Sequence, residues 1–162
     1  MATMQNRPAI INTTLLEDVG PMRDRDLWLE LRAREPEDPA RGWVPAYRFA
    51  MHLDGVEHAV GRLGFRVGIT HAIERYAGHL GYEVSQVYRG NRLAERSCRL
   101  ILPLARRHGF HELWITCNPD NWPSRRTCER LGAELIDTVD VPRDSAVFAP
   151  GSERKCRYLL AL

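Results

Sequence analysis

The sequence predicts an α/β fold in which helices flank a central sheet of mixed, mostly antiparallel direction. Two β-prone segments meet at the turn pair Asp54-Gly55, and two consecutive strand–loop–helix units follow them. Two further β-prone segments close the chain. A chain of 162 residues can bury its own core, so we expect one domain over residues 1–162.

Periodicity and helix punctuation place the individual elements. Pro21 suits the first position of a helix, and Leu27, Trp28 and Leu31 would form its apolar side. Asn121 is a candidate N-cap for the last helix, with Pro123 just inside it. In chain order we predict a β-prone run over 10–16, a helix over 21–36, strands over 47–53, 59–69 and 79–87, a helix over 92–107, a strand over 112–117, a helix over 121–132, and strands over 135–141 and 157–162.

The basic residues are almost all arginine. Of 23 Lys+Arg residues only Lys155 is lysine, and 21 acidic residues leave a net charge of +2. This balance argues against a general nucleic-acid coat. Codon usage in a GC-rich genome explains an arginine bias, and so does the binding of phosphate or carboxylate, which arginine holds better than lysine.

The cellular compartment is predicted from the absence of a recognisable signal peptide, membrane span or cysteine motif in the sequence. Residues 1–8 contain no apolar signal-peptide core, and the apolar cluster over 100–105 is interrupted by Pro103 and too short to span a membrane. The four cysteines show no C-x-x-C spacing, which is typical of reduced thiols in a cytoplasm. We therefore expect a cytoplasmic protein with no metal site and no membrane partner.

The segment over residues 81–94, GYEVSQVYRGNRLA, contains the strongest candidate site. A strand ends there, a loop follows, and a helix begins whose first N–H groups and dipole attract an anion. Gly90 lets the backbone approach a ligand. Residues 89–107 hold six arginines and one acid, Glu95. The phosphate loop of P-loop NTPases and the dinucleotide fingerprint are both absent.

Two motifs resemble those of the GNAT superfamily of acetyl-CoA-dependent N-acetyltransferases. Residues 89–94 (RGNRLA) resemble its pyrophosphate loop, [QR]-x-x-G-x-[GA]. Residues 121–133, with Asn121, Ser124, Thr127, Cys128, Gly132 and Ala133, resemble its second signature, N-x-x-[AS]-x-x-[LV]-[YF]-x-x-x-G-[FA]. The clear match covers residues 78–136 and is similar to a bacterial branch of predicted acetyltransferases.

The resemblance implies a site for acetyl-CoA as cosubstrate. Backbone amides would hold the pyrophosphate, the strand near Val84 would pair with the pantetheine arm, and two parallel strands (79–85 and 112–117) would splay apart around the thioester. Arg96 would add charge, and Arg92, which replaces a loop glycine, would lie beside a phosphate. The implied cofactor-binding residues are Val84, Arg89, Gly90, Asn91, Arg92, Leu93, Ala94 and Asn121.

The resemblance leaves the proton-transfer residues open. Glu83 is either the general base, acting through a water relay, or a salt-bridged surface glutamate, and alternation along the strand would place His79 on the same face. Cys128 stands where many members have a tyrosine acid, and it is either a proton donor or a small buried residue. Tyr82 or a water could replace it, or the thiolate could leave unaided.

The acceptor pocket is also open. The excursion over 70–78, with His71, Glu74 and Tyr76, either lines it or is an ordinary loop. The same alternatives hold for Trp43, Tyr47 and Trp122, as pocket aromatics or as packing residues.

The sequence therefore predicts direct acetyl transfer from acetyl-CoA to a primary amine, on a small-molecule or peptide acceptor. A non-catalytic acyl-CoA-binding domain is the first alternative. A nucleic-acid-binding module built on the arginine-rich helix is the second, disfavoured by the near-neutral charge. We expect no nucleic-acid partner, and the edge of the closing hairpin offers a surface for a homodimer.

Overall fold

The computed structural model describes residues 9–162, which form eight strands and two α-helices. The strands are β1 (Arg23–Asp24), β2 (Leu27–Glu35), β3 (Ala46–Leu53), β4 (Gly61–Arg66), β5 (Leu80–Val84), β6 (Glu112–Cys117), β7 (Glu134–Asp140) and β8 (Arg154–Ala161). The helices are α1 (Leu93–Arg107) and α2 (Trp122–Leu131). Neither α-helix in the described part of the chain is long and apolar enough to cross a membrane.

The strands form two antiparallel sheets. The first has the order β1-β2-β3-β4-β5 and the second the order β6-β8-β7. Helix α1 leads from the end of β5 in the first sheet to the start of β6 in the second. The predicted mixed α/β class with a mostly antiparallel sheet is therefore confirmed.

The predicted helix over 21–36 is wrong. Residues 23–35 form β1 and β2, and β2 pairs with β3 along its whole length. Leu27 and Leu29 are buried in the core, so the apolar residues follow the two-residue period of a strand. Pairing with β3, a long-range contact, overrides the local preference that Pro21 suggested.

The β-prone run over 10–16 is also not a strand. It is irregular and attached to the core by single bonds, from the Asn12 N–H to the His108 carbonyl (2.8 Å) and from the Leu16 N–H to the Tyr47 hydroxyl (2.6 Å). Residues 1–8, which precede this run in the sequence, lie outside the described part of the chain. The later elements agree with prediction to within a few residues.

The five-stranded sheet has two different faces. One packs against α1 through a core that includes Phe49, Leu63, Phe65 and Ile101. The other carries Arg48, Arg62, Glu83 and several glycines, and no element of the described chain covers it. This open face matters below because it borders the same strand, β5, as the candidate anion site.

Candidate functional site

The junction between β5 and α1 is the candidate anion site, and its backbone is open to a ligand. Gly90 has φ +88°, and a Cβ there would meet no atom within 4 Å, so the loop surface beside it is open. Arg92 precedes the helix and provides no capping side-chain bond. Leu93 is buried and anchors the first turn. The first N–H groups of α1 therefore face this loop without a side-chain acceptor.

The three arginines that were expected to add charge here have different environments. Arg92 is exposed and has no ion-pair partner among the described residues. Arg89 donates from Nε to the Val84 carbonyl at 2.9 Å. The prediction that Arg96 adds charge for a phosphate is wrong, because its guanidinium binds Asp24 (2.6 Å) and Asp26 (2.7 Å) instead.

Within residues 9–162 no strand pairs with the edge of β5 that faces away from β4, so this edge is free for an extended ligand apart from the bond that the Val84 carbonyl accepts from Arg89. Bonds from Arg66 N–H to the His79 carbonyl and from Ser85 N–H to the Val60 carbonyl show that the odd-numbered residues point their backbone groups toward β4. In an antiparallel pair these groups alternate, so the N–H and C=O groups of Tyr82 and Val84 point the other way. An extended ligand can pair with such an edge.

This free edge opens into a gap between the two sheets. His79 joins them: its N–H donates to the Trp114 carbonyl (2.7 Å), and its Nδ1 accepts from the Trp114 N–H (2.8 Å). Its Nε2 donates to the Gly68 carbonyl at 3.0 Å. Beyond this attachment β5 and β6 belong to separate sheets, which is the expected splay.

His79 does not share the exposed strand face of Glu83. The side chain is 2% exposed, and all its ring nitrogens are used in bonds to the backbone. Burial lowers the pKa of His79 from 6.5 to about 4, so the imidazole is neutral at pH 7. The residue is a buried attachment between the sheets, so the prediction that it shares a face with Glu83 is wrong.

A hydrogen-bonded cluster fills the gap on the α1 side of β5. The Tyr82 hydroxyl lies 2.9 Å from Ser124 Oγ and 3.9 Å from Cys128 Sγ. Burial raises the pKa of Tyr82 above its usual 10, so the hydroxyl keeps its proton. A hydrogen bond with Cys117, together with burial, raises the pKa of the Cys128 thiol. This cluster brings two candidate residues, Tyr82 and Cys128, together.

Ser124 is the functional candidate that sequence reasoning missed. It lies in the first turn of α2, where Asn121 caps the helix by accepting the Ser124 N–H at 3.2 Å. The predicted N-cap is thus confirmed, and the cap orients the Ser124 residue. The signal was present in the second motif, which permits serine at this position, but only the contact with Tyr82 gives the hydroxyl a partner.

Glu83 lies on the opposite face of β5 from Tyr82. Its carboxylate is paired with the Arg62 guanidinium at 2.5 Å, and both side chains are more than half exposed. Both line an open groove of about 950 Å³ on the uncovered sheet face. Gly61, Gly64 and Gly81 form part of the groove, and Gly64 lets the Arg48 side chain lie across the sheet, since a Cβ there would come within 2.5 Å of it.

The other acceptor-pocket candidates lie elsewhere. Tyr47 is fully buried, with its hydroxyl 2.8 Å from His108 Nε2, so it is a core residue. Trp43 and Trp122 are exposed, each beneath an arginine. Residues 73–77 form a π-helical turn whose Tyr76 carbonyl accepts from Thr116. None of these residues borders the groove. In residues 9–162, no group of three or more potential metal ligands is found.

The similarity of this chain to known proteins is found in its family and in its fold. A family model described as "Acetyltransferase (GNAT) domain" matches residues 4–134. No curated protein matches the chain.

Solved structures share the fold. The chain is similar to Mycobacterium smegmatis RimJ in complex with CoA-disulfide, at 20% identity and TM-score 0.54, covering 72% of this chain and 53% of that one. RimL, a ribosomal L7/L12 alpha-N-protein acetyltransferase in complex with coenzyme A, has 20% identity, TM-score 0.56 and coverage of 76% and 64%. The microcin C7 self-immunity acetyltransferase MccE, in complex with acetyl-CoA and AMP, has 19% identity, TM-score 0.54 and coverage of 72% and 61%. The chain thus spans less than two thirds of each of these structures.

Proposed function

Since the chain belongs to the GNAT acetyltransferases, we propose that it transfers an acetyl group from acetyl-CoA directly to a primary amine. The observation that carries this proposal is the free edge of β5 at Tyr82 and Val84, beside the loop that opens α1. The similar structures of RimL and MccE hold coenzyme A and acetyl-CoA, respectively, which supports acetyl-CoA as the cosubstrate.

In this proposal the loop and the strand bind the two halves of acetyl-CoA. The backbone amides of Gly90, Asn91, Leu93 and Ala94 hold the pyrophosphate, and the Arg92 guanidinium lies beside it. The pantetheine arm pairs with β5, where the Val84 carbonyl must first release Arg89. Asn121, on the far side of the gap, borders the arm.

The acceptor amine enters from the open groove. Its nitrogen attacks the thioester carbon, the carbonyl oxygen becomes an oxyanion near the backbone N–H of Val84, and the C–S bond then breaks. Glu83 accepts a proton from the amine, directly or through water. The departing thiolate takes a proton from the Tyr82 hydroxyl, which Ser124 orients.

Tyr82 suits the role of acid better than Cys128. Its hydroxyl lies 2.9 Å from Ser124 Oγ and 3.9 Å from the sulfur of Cys128, the residue that stands where many family members have a tyrosine. The Cys128 side chain is fully buried in the core, whereas Tyr82 is only partly buried and is therefore nearer to a ligand bound along β5.

The acceptor is proposed only by its chemical class, and the location only as a cellular compartment. The acceptor is a small-molecule or peptide amine, since the similar structures include enzymes for both a ribosomal protein and microcin C7 immunity. The four cysteines are free and buried, which supports a cytoplasmic location.

The test is thiol release from acetyl-CoA with a panel of amines, comprising polyamines, amino acids and peptides with free N-termini. We expect turnover with at least one class, and weaker CoA binding by Arg92→Ala than by the wild type. The second candidate, a non-catalytic acyl-CoA-binding domain, is favoured by Cys128 at the usual acid position. Tight CoA binding without turnover on any amine would decide for it.

A further inference from the structure

Two arginines on different segments share an unusual backbone conformation. Arg25 has φ 55° and Arg92 has φ 56°, and within residues 9–162 they are the only residues other than glycine with positive φ. Both border one cavity of about 650 Å³ at the start of α1. A glycine would form either turn without steric cost, so turn geometry alone gives no reason for an arginine.

The cavity is formed where the turn between β1 and β2 packs on α1. Arg96 of α1 donates from Nε to Asp24 and from Nη2 to Asp26, and it also binds the Asp24 carbonyl at 2.6 Å. Arg96 is only 14% exposed, so this attachment is well shielded. The contact neutralises both carboxylates and holds Arg25, the residue between them, at the cavity.

Charge pairing leaves two guanidinium groups available there. Arg99 is paired with Glu95 within α1 at 3.3 Å. Arg25 is 76% exposed and makes only a long contact of 3.4 Å with Asp24. Arg92 has no ion-pair partner in the described part of the chain. Arg25 and Arg92 can therefore both turn to an anion in the cavity without breaking a strong pair.

We propose that Arg25 is a second anion-binding residue, which holds a phosphate of the nucleotide end of acetyl-CoA. This inference rests on the proposed function for the identity of the ligand. It adds a residue that lies 65 positions before the loop glycine, Gly90, and outside both motifs. The β1–β2 turn, docked by Arg96, would then take part in selecting CoA over its unphosphorylated analogues.

The experiment measures the dissociation constant of CoA by calorimetry on the full chain. We expect Arg25→Gly to weaken binding about tenfold, the usual effect of losing one charge-assisted hydrogen bond. The glycine also relieves the left-handed backbone, so the thermal midpoint should stay the same or rise. Arg143→Ala, an exposed arginine in the 142–153 loop, is the control for the loss of one positive charge.

Three ligands locate the contact. With 3′-dephospho-CoA the penalty should vanish if Arg25 binds the 3′-phosphate and persist if it binds the diphosphate. With pantetheine, which has neither group, it should vanish in both cases. A penalty that persists with pantetheine, or Arg25→Gly that binds CoA like the wild type, would overturn the inference and leave the proposed function intact. Wild-type protein that binds no CoA would instead overturn the proposed function itself.

Discussion

Tyr82 and Glu83 are neighbours on β5, yet their environments are opposite. The Tyr82 hydroxyl is shielded in the gap between the sheets and bonded to Ser124, so it stays neutral. Glu83 faces an open groove and is paired with an exposed arginine. A strand alternates its side chains between faces, and here that alternation separates a candidate proton donor from a candidate base.

This difference assigns a direction to the proposed reaction. Acetyl-CoA approaches from the α1 side, where the buried face can give a proton to the thiolate. The amine approaches from the groove, where the Glu83 carboxylate can take one. The four changes below test the assignment, from the largest expected effect to the smallest.

The largest effect should be on kcat and should come from removal of the Tyr82 hydroxyl on the buried face of β5. We expect Tyr82→Phe to lower kcat about 1000-fold, within the usual range for a general acid, with little change in the KM for acetyl-CoA. Steady-state thiol release measures both constants. Tyr76→Phe is the matched control, and a kcat for Tyr82→Phe within threefold of the wild type would remove the donor from this face.

Acid should weaken the attachment between the sheets through His79. The pKa of about 4 in the folded state lies below the unfolded value of 6.5, so the unfolded chain binds the extra proton first. The stabilisation is therefore complete above pH 6.5 and is lost as the pH falls toward 4. The loss is about 3 kcal/mol of unfolding free energy.

Urea unfolding at a series of pH values measures that loss. His79→Gln should be less stable than the wild type at pH 7 and should depend less on pH between 6.5 and 4. His111→Gln, an exposed histidine, provides the comparison. Equal pH dependence in wild type and His79→Gln would show that the imidazole is not the titrating group.

Two substitutions on the open face of the five-stranded sheet distinguish a role of Glu83 as the base from a role only in the ion pair with Arg62. We expect Glu83→Gln to lower kcat/KM about tenfold, below the usual range for a general base because water in the open groove can still take the proton. Arg62→Ala keeps the carboxylate and frees it, so activity should be retained. If both variants lose the same activity, the ion pair is structural and Glu83 is not the base.

The smallest effect should come from the thiol beside Tyr82. Cys128→Ala should keep kcat within threefold while lowering the unfolding free energy by about 1 kcal/mol, because it removes only packing. Cys98→Ala, another fully buried thiol on the other helix, should behave alike. A large loss of kcat in Cys128→Ala alone would restore the thiol as the proton donor.

Local chemistry explains which parts of the site were predictable. The loop over 89–94 and the Asn121 cap depend on residues adjacent in sequence, and both lie where the sequence places them. Ser124, Arg96 and His79 depend on partners 42, 72 and 35 positions away. Local sequence patterns do not show which residues so far apart will meet. The contact of Ser124 with Tyr82 and the ion pairs of Arg96 were therefore not predicted.

The sequence by itself determined the loop before α1, the helices α1 and α2 and the strands around them, because caps, glycines and short-range periodicity act within a few residues. Only the tertiary structure decided that residues 27–35 are a strand, since the partner that pairs with them is β3. It also decided which arginines are free: Arg96 is neutralised by the β1–β2 turn, whereas Arg92 is left for a ligand. Charge is a property of a residue, but its availability depends on which side chains the fold brings within bonding distance.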